Sequence, residues 1–355
     1  MALSAEKVPR ICLLAAAETS PSVLYGLLDV LGSVGAIYPE ITASGNGVPA
    51  FDVKVVAAQK SPFRCYGNVV VEPDLHTGEV TQTDIVIVCD IYQPVDSPPR
   101  GRYRVETAWL RRMHAQGAVI ASVCSGALML AESGLLDGLE AACHWGYRDM
   151  FREHYPAVKL REDLVLCLSS PDQRIVTTGA VFSWQELALY LISRFCGPDE
   201  AIRTAKIYLF AQHTDGQLPF IVTTPRAQKS DALINDSQMW VAENYATSHP
   251  VAQMTARTGL SSRTFARRFR AATGYHPMDY VHTIRVEEAK QLLETTDSHV
   301  DEIAETVGYE DASSFRRLFK RKTGLTPAAY RRKFAGLVSR AGPAGHTLPD
   351  RIGTG

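Results

Sequence analysis

The chain has 355 residues, 46% of them hydrophobic and 21% charged, with 37 Lys and Arg against 38 Asp and Glu. This composition predicts a soluble globular protein of two domains, each with its own core, and excludes a disordered or fibrous chain. Residues 1–10 show no apolar stretch behind a basic start and no run of eighteen apolar residues occurs, so the chain is expected in the cytoplasm with no membrane partner. All seven cysteines lie before residue 200 without a CxxC pair, a pattern of reduced thiols and not of a disulfide framework.

In chain order the first two hundred residues alternate strand and helix signals. Residues 11–17 read as a buried strand and 23–31 as a helix. Residues 53–58, 69–71 and 85–88 read as strands, and 103–115 as an amphipathic helix with Arg111 and Arg112 outward. A strand over 118–123 runs straight into Cys124-Ser125-Gly126 and a helix over 127–131. Strands over 164–168 and 175–178 and helices over 182–194 and 200–210 follow. This order predicts an α/β domain over 8–215, a mainly parallel sheet sandwiched by helices. A linker is expected over 216–232, where Gly216, Pro219, Thr223, Thr224 and Pro225 fall. Beyond it the strand signal disappears, which predicts an all-α domain over 233–335 and a disordered Gly/Pro-rich tail over 336–355.

The all-α domain contains one helical unit twice, offset by fifty positions. Phe265, Phe269, Gly274, Pro277 and Tyr280 match Phe315, Phe319, Gly324, Pro327 and Tyr330, while Gly259 and Gly308 are one residue out of step. Ser261 or Ser262 can N-cap the basic helix of the first unit. Phe265 and Phe269 share one face, and Arg263, Arg267 and Arg270 point the opposite way. In the second unit Phe315 and Phe319 face inward, and Ser313, Arg317 and Lys320 face outward. A long helix over 277–293, about 25 Å at 1.5 Å per residue, separates the units. A spacer of that size holds two recognition helices about one turn of DNA apart. Two copies in one register point to a reader of double-stranded DNA.

The residues Gly308-Tyr309-Glu310-Asp311, Ser314-Phe315, Phe319-Lys320, Thr323-Gly324, Thr326-Pro327 and Tyr330-Arg331 resemble the signature of AraC/XylS transcriptional regulators. The resemblance implies that Arg263, Ala266 and Arg267 face bases in one groove segment, and Ser313, Ser314 and Arg317 in the next. It assigns phosphate contacts to Arg268, Arg270, Arg316, Lys320 and Arg321.

The strand-turn-helix at Cys124 has the form of a nucleophile elbow, in which a tight turn exposes the central side chain and the helix N-terminus lowers a thiol pKa. Cys124 and His144, with the segments 131–138, 177–180 and 213–217, are similar to the ThiJ/PfpI, class-I glutamine-amidotransferase-like superfamily. That resemblance implies a flavodoxin-like fold, and the combination with the AraC-like half is the layout of GlxA-type regulators. It implies a homodimer that binds promoter DNA, contacts RNA polymerase and senses a small nitrogen-containing metabolite in a pocket at Cys124, Ser125, His144 and Glu18. No cofactor and no metal are expected. Glu18 is the candidate acid, and Trp145 and Trp184 are candidates for cation–π contacts. Enzymes of the superfamily carry a Gly-Gly pair where this chain has Val88-Cys89-Asp90, which favours sensing over turnover. A cysteine-dependent hydrolase or amidase, or a thiol redox sensor, fused to the DNA reader is the alternative.

Overall fold

A computed structural model describes residues 8–211, 213–222 and 231–339, with side chains up to 335. Thr223, Thr224 and Pro225 of the expected linker, and residues 340–355 of the expected tail, lie outside the described residues. The chain divides into two compact units, 1–217 and 218–355.

In the first unit the elements run β1 (Arg10–Leu14), α1 (Pro21–Ser33), α2 (Ile37–Ile41), β2 (Asp52–Ala57), β3 (Phe63–Arg64), β4 (Val70–Val71), β5 (Leu75–His76), β6 (Ile85–Val88) and α3 (Arg104–Ala115). They continue with β7 (Val119–Val123), α4 (Gly126–Glu132), β8 (Glu140–Ala141), α5 (Arg148–His154), β9 (Lys159–Leu160), β10 (Leu166–Leu168), β11 (Ile175–Thr178), α6 (Trp184–Cys196) and α7 (Pro198–Tyr208). Seven strands form one sheet in the order β10-β11-β7-β6-β1-β2-β5. All its pairs are parallel except β10 with β11. The central strands β6 and β7 are buried along their whole length, which is why they read as unbroken apolar runs and not as alternating ones. One core, with Leu27 of α1 and Leu191 of α6, covers one face. A second, with Trp109 of α3 and Leu128 of α4, covers the other. The run at 69–71 belongs to a separate β3–β4 hairpin and not to the sheet, and the two-residue strands β5, β8 and β9 are too short to show any period.

The described elements of the second unit are helical: α8 (Ala232–Asn244), α9 (Pro250–Thr258), α10 (Ser262–Thr273), α11 (Pro277–Thr295), α12 (Val300–Thr306), α13 (Ala312–Thr323), α14 (Pro327–Ser339) and a 3-10 turn at Leu218–Phe220. Ser261 caps α10 by accepting from the Thr264 amide at 3.4 Å. Asp311, fifty residues on, caps α13 by accepting from the amides of Ser313 and Ser314 at 3.0 and 2.9 Å. The register of the two copies is thus fixed at the start of the basic helix. The one-residue mismatch is absorbed before it, between α12 and Asp311. Both basic helices end at a left-handed glycine, Gly274 (φ 79°) and Gly324 (φ 75°), so the helix stops without a Cβ penalty.

Candidate nucleic-acid interface and effector pocket

The buried faces of α10 and α13 are aromatic. Phe265 and Phe269 lie 5.4 Å apart by ring centroids, and Phe315 and Phe319 lie 5.6 Å apart. The opposite faces carry the cations. Arg263, Arg267, Arg270, Ser313, Arg316, Arg317, Lys320 and Arg321 are exposed, and Ala266 and Ser314 are half-buried. Arg263, Arg267, Arg270 and Lys320 make no side-chain hydrogen bond or ion pair among the described residues. Neither helix contains an acidic residue.

Four of the expected DNA-contacting side chains have intramolecular partners: Arg268, Ser314, Arg316 and Arg317. Arg268 forks onto Asp231, the N-cap of α8, with Nε and Nη2 at 2.8 and 2.7 Å from its two carboxylate oxygens. Its counterpart under the fifty-residue shift is Leu318, which is buried in the second core. Position 268 therefore faces the bundle flank, and Arg268 ties α10 to α8 where a phosphate contact was expected. The pairing holds the Asp231 carboxyl below its ordinary range through the Arg268 hydrogen bond. Ser314 is the counterpart of Thr264, and both hydroxyls bond to the capping residue of their helix. Ser314 also accepts from Arg317 Nη2 at 2.9 Å. Arg316 pairs with Asp301, at an exposed position where solvent keeps the pairing weak.

In the first unit, β7 turns into α4 at Cys124, which has φ 53°, a left-handed conformation that is strained for a residue with a side chain. The elbow is present, but its side chain is not exposed: Cys124 is 3% accessible. Burial, followed by the nearby Asp90 and Cys143, pushes the thiol well above its ordinary range, and the Ser125 amide opposes this only weakly. The expected lowering by the helix N-terminus is thus reversed, because desolvation of a thiolate outweighs the partial charge of one short helix end. The carboxylate that acts on Cys124 is Asp90, not Glu18. Asp90 accepts from the Ser125 amide at 3.2 Å and from the Ser125 hydroxyl. Glu18 is engaged elsewhere, accepting from the Tyr103 hydroxyl at 3.0 Å and pairing with Arg102 at 3.3 Å. Asp90 could have been found from its place after β6, since parallel sheets put functional groups at the carboxyl ends of their strands.

Ser125 is fully enclosed. Its hydroxyl joins Asp90 and the Ile91 backbone, so it fastens the start of α4 to the loop after β6. His144 accepts from the Gly146 amide through Nδ1 at 3.1 Å. Burial lowers its pKa, with Asp90 opposing. No hydrogen bond joins Cys124 to His144 among the described residues; the link between the two segments is Cys143, whose Sγ donates to the Cys124 carbonyl at 3.2 Å. A raised thiol and a lowered imidazole both oppose transfer of the proton from Cys124 to His144. Iodoacetamide at pH 7 is therefore expected to label Cys196, the one half-exposed cysteine, whose pKa lies at about 11, ahead of Cys124. Mass-spectrometric mapping decides this, and rapid labelling of Cys124 in the native chain would defeat the assignment.

Trp184 is core, packed edge-on against Phe210 at 5.5 Å and against Gly26, where a Cβ would lie 2.7 Å from its ring. Trp145 is half-buried beside His144, with centroids 4.9 Å apart. Two exposed rings passed unnoticed in the sequence. Tyr66 and Tyr92 stack at 5.0 Å, and their amides bond to the carbonyls of Thr19 and Glu18. Among the described residues no cluster of three His, Cys, Asp or Glu side chains could hold a metal, and no helix is long and apolar enough to cross a membrane.

Comparison with known proteins agrees with this division. The DJ-1/PfpI family profile matches residues 22–193, and a helix-turn-helix domain profile matches residues 254–333. The chain is 25% identical over 330 residues to the HTH-type transcriptional regulator CdhR of Pseudomonas aeruginosa, covering 90% of this chain and 95% of that one. It is 27% identical over 242 residues to the HTH-type transcriptional regulator GlxA of Rhizobium meliloti, covering 63% of this chain and 68% of that one. Among solved structures, an AraC family transcriptional regulator from Pseudomonas putida aligns with a TM-score of 0.46 at 17% identity, over 56% of this chain and 99% of that one. The chain thus joins a DJ-1/PfpI domain to an AraC-type helix-turn-helix domain and over much of its length is similar to the HTH-type transcriptional regulators CdhR and GlxA.

Proposed function

We propose that α10 and α13 read two successive major-groove segments of promoter DNA, while the DJ-1/PfpI domain senses a small-molecule effector without turning it over. The observation that carries the DNA assignment is the pair of acid-free, outward basic faces on two helices in matching register. Arg263 and Arg267 are the base readers of the first segment, with Ala266 limited to apolar contact; Ser313 and Arg317 are those of the second. Arg270, Lys320 and Arg321 position the backbone. Ser314 serves the cap of α13 more than a base.

The buried Cys124 and Ser125 form structure beneath the pocket, and His144 and Glu18 are its polar groups. A nitrogen-containing metabolite suits this setting, since the exposed, stacked Tyr66–Tyr92 pair favours a cation. Gln217 supports signalling out of this domain. As the last residue of the first unit, it donates to the carbonyls of Cys143 and Leu164 at 3.2 and 2.7 Å, one residue from His144. A ligand that shifts the 143–144 segment thereby moves the residue from which the chain leaves the domain. It alters transcription by favouring one of two arrangements. We assign the working form as a cytoplasmic homodimer in contact with RNA polymerase.

The test is selection of duplexes from a random library by the full-length chain. Arg267→Ala is expected to lower affinity about tenfold and to relax one base position, whereas Arg268→Ala costs stability and leaves the base preferences unchanged. No shared motif from the wild type would sink the DNA assignment, and an unchanged motif from Arg267→Ala would sink that of Arg267. Amine-bearing metabolites are added in a second arm. A compound that changes DNA affinity for wild type but not for His144→Ala identifies the effector site; equal responses would move the site elsewhere.

A further inference from the structure

The helix-turn-helix domain has two cores. Phe265, Phe269 and Ile284 belong to the first, and Val286, Phe315 and Phe319 to the second. Both draw on α11, and the changeover falls between Ile284 and Val286. The residue between them is Arg285, only 5% accessible. A guanidinium buried at such a boundary needs partners for its donors, and it finds them on both sides. Nε donates to the Tyr245 carbonyl at 2.8 Å and Nη2 to the Thr247 carbonyl at 3.1 Å, in the turn between α8 and α9. Its Cζ lies 5.1 Å from the centroid of the Tyr309 ring, and that ring packs at 5.5 Å on Phe315 of α13. The backbone of the second copy comes equally close. A Cβ on Gly308 would lie 2.6 Å from the Ala246 carbonyl oxygen and 2.8 Å from Arg285 Nη2. The turn that leads into the first copy, between α8 and α9, and the turn inside the second copy, between α12 and α13, therefore meet at one arginine. Apolar contact is non-directional, so two packed cores can slide; a fork onto two carbonyls fixes both distance and angle.

We propose that Arg285 is a positioning residue that sets the separation and angle of α10 and α13, and so the half-site spacing that one chain accepts. The proposal rests on the assignment of α10 and α13 as the DNA-reading helices. Its test begins with the site that full-length wild type selects from a random duplex library. Affinity is then measured for that site and for the same site with one base pair inserted or removed between its halves. Wild type is expected to lose affinity steeply on either change. Arg285→Met is expected to bind the unaltered site about tenfold more weakly, because the two halves no longer reinforce one another. It should lose little more on insertion or deletion and keep the wild-type base preferences within each half. Arg285→Lys, which keeps the charge without the fork, is expected to fall between. Tyr309→Leu keeps both carbonyl bonds and removes the ring, and is expected to soften the spacing penalty; it decides the matter if Arg285→Met gives no cooperative melt. A folded Arg285→Met with the wild-type spacing penalty overturns the proposal, as does a wild-type penalty in Tyr309→Leu should Arg285→Met fail to fold. A wild type that selects no site defeats the DNA assignment itself, a result distinguishable because it precedes any variant.

Discussion

Phe319→Ala is expected to destabilise the helix-turn-helix domain by about 3–5 kcal/mol. Phe319 is fully buried on α13 and stands between Phe315, at 5.6 Å, and the Tyr330 ring of α14, met edge-on at 5.4 Å. Truncation loses the transfer energy of the ring and leaves a cavity that helices pinned at Asp311 and Gly324 cannot close. Against the roughly 5–15 kcal/mol that holds a typical domain folded, the loss is severe. Phe269→Ala is the matched change in the first core, since Phe269 meets Phe265 at 5.4 Å and Tyr280 at 5.2 Å. Urea unfolding of both variants measures the effect. A loss under about 1 kcal/mol for Phe319→Ala would mean that α13 is not held by this ring.

Gly126→Ala should disrupt the DJ-1/PfpI domain at its centre. A Cβ at Gly126 would lie 2.7 Å from the Val88 carbonyl oxygen and 2.9 Å from that of Cys89. Both are backbone atoms at the buried carboxyl end of β6 and cannot swing aside, so α4 must move off the strand. The expected cost is about 1–3 kcal/mol, and the movement breaks the bonds of Ser125 to Asp90 and Ile91. Cys124 then gains solvent, and its alkylation at pH 7 is expected to quicken while the melting temperature falls. Gly32→Ala in α1 is the control. Nothing lies within 4 Å of its added Cβ, so it should be neutral or stabilise by up to about 1 kcal/mol. Equal melting temperatures for the two variants would show that Gly126 is not a packing requirement.

The strand-helix alternation, the two basic helices, a serine cap for the first of them and the spacer were legible because each is a local pattern written at the period of its own element. A helical projection separates inside from outside but not the flank that meets a third helix, where Arg268 pairs with Asp231. The comparison with Leu318 in the other copy was the available signal. Residues at a helix start spend their hydroxyls on capping, as Ser314 does on Asp311. Glu18 was chosen for its loop position, yet its carboxylate is held by Tyr103 and Arg102. Asp90 was noted only as a departure from Gly-Gly, although it sits at the carboxyl end of β6. The elbow at Cys124 was read correctly as a turn and wrongly as an exposed thiol, since the sequence does not state the depth of burial.

By itself the sequence determined that this chain joins an α/β domain to a duplicated helical DNA reader. Periodicity, turn residues and an internal repeat are properties of neighbours in the chain, and no folding is needed to see them. The tertiary structure alone decided which charged groups meet. Asp90 reaches Ser125 across 35 positions, Asp231 takes Arg268 across 37, and Arg285 reaches Tyr245 across 40. Those separations are set by strand order and helix packing. Burial then raises the Cys124 thiol, and the Arg268 hydrogen bond holds the Asp231 carboxyl low.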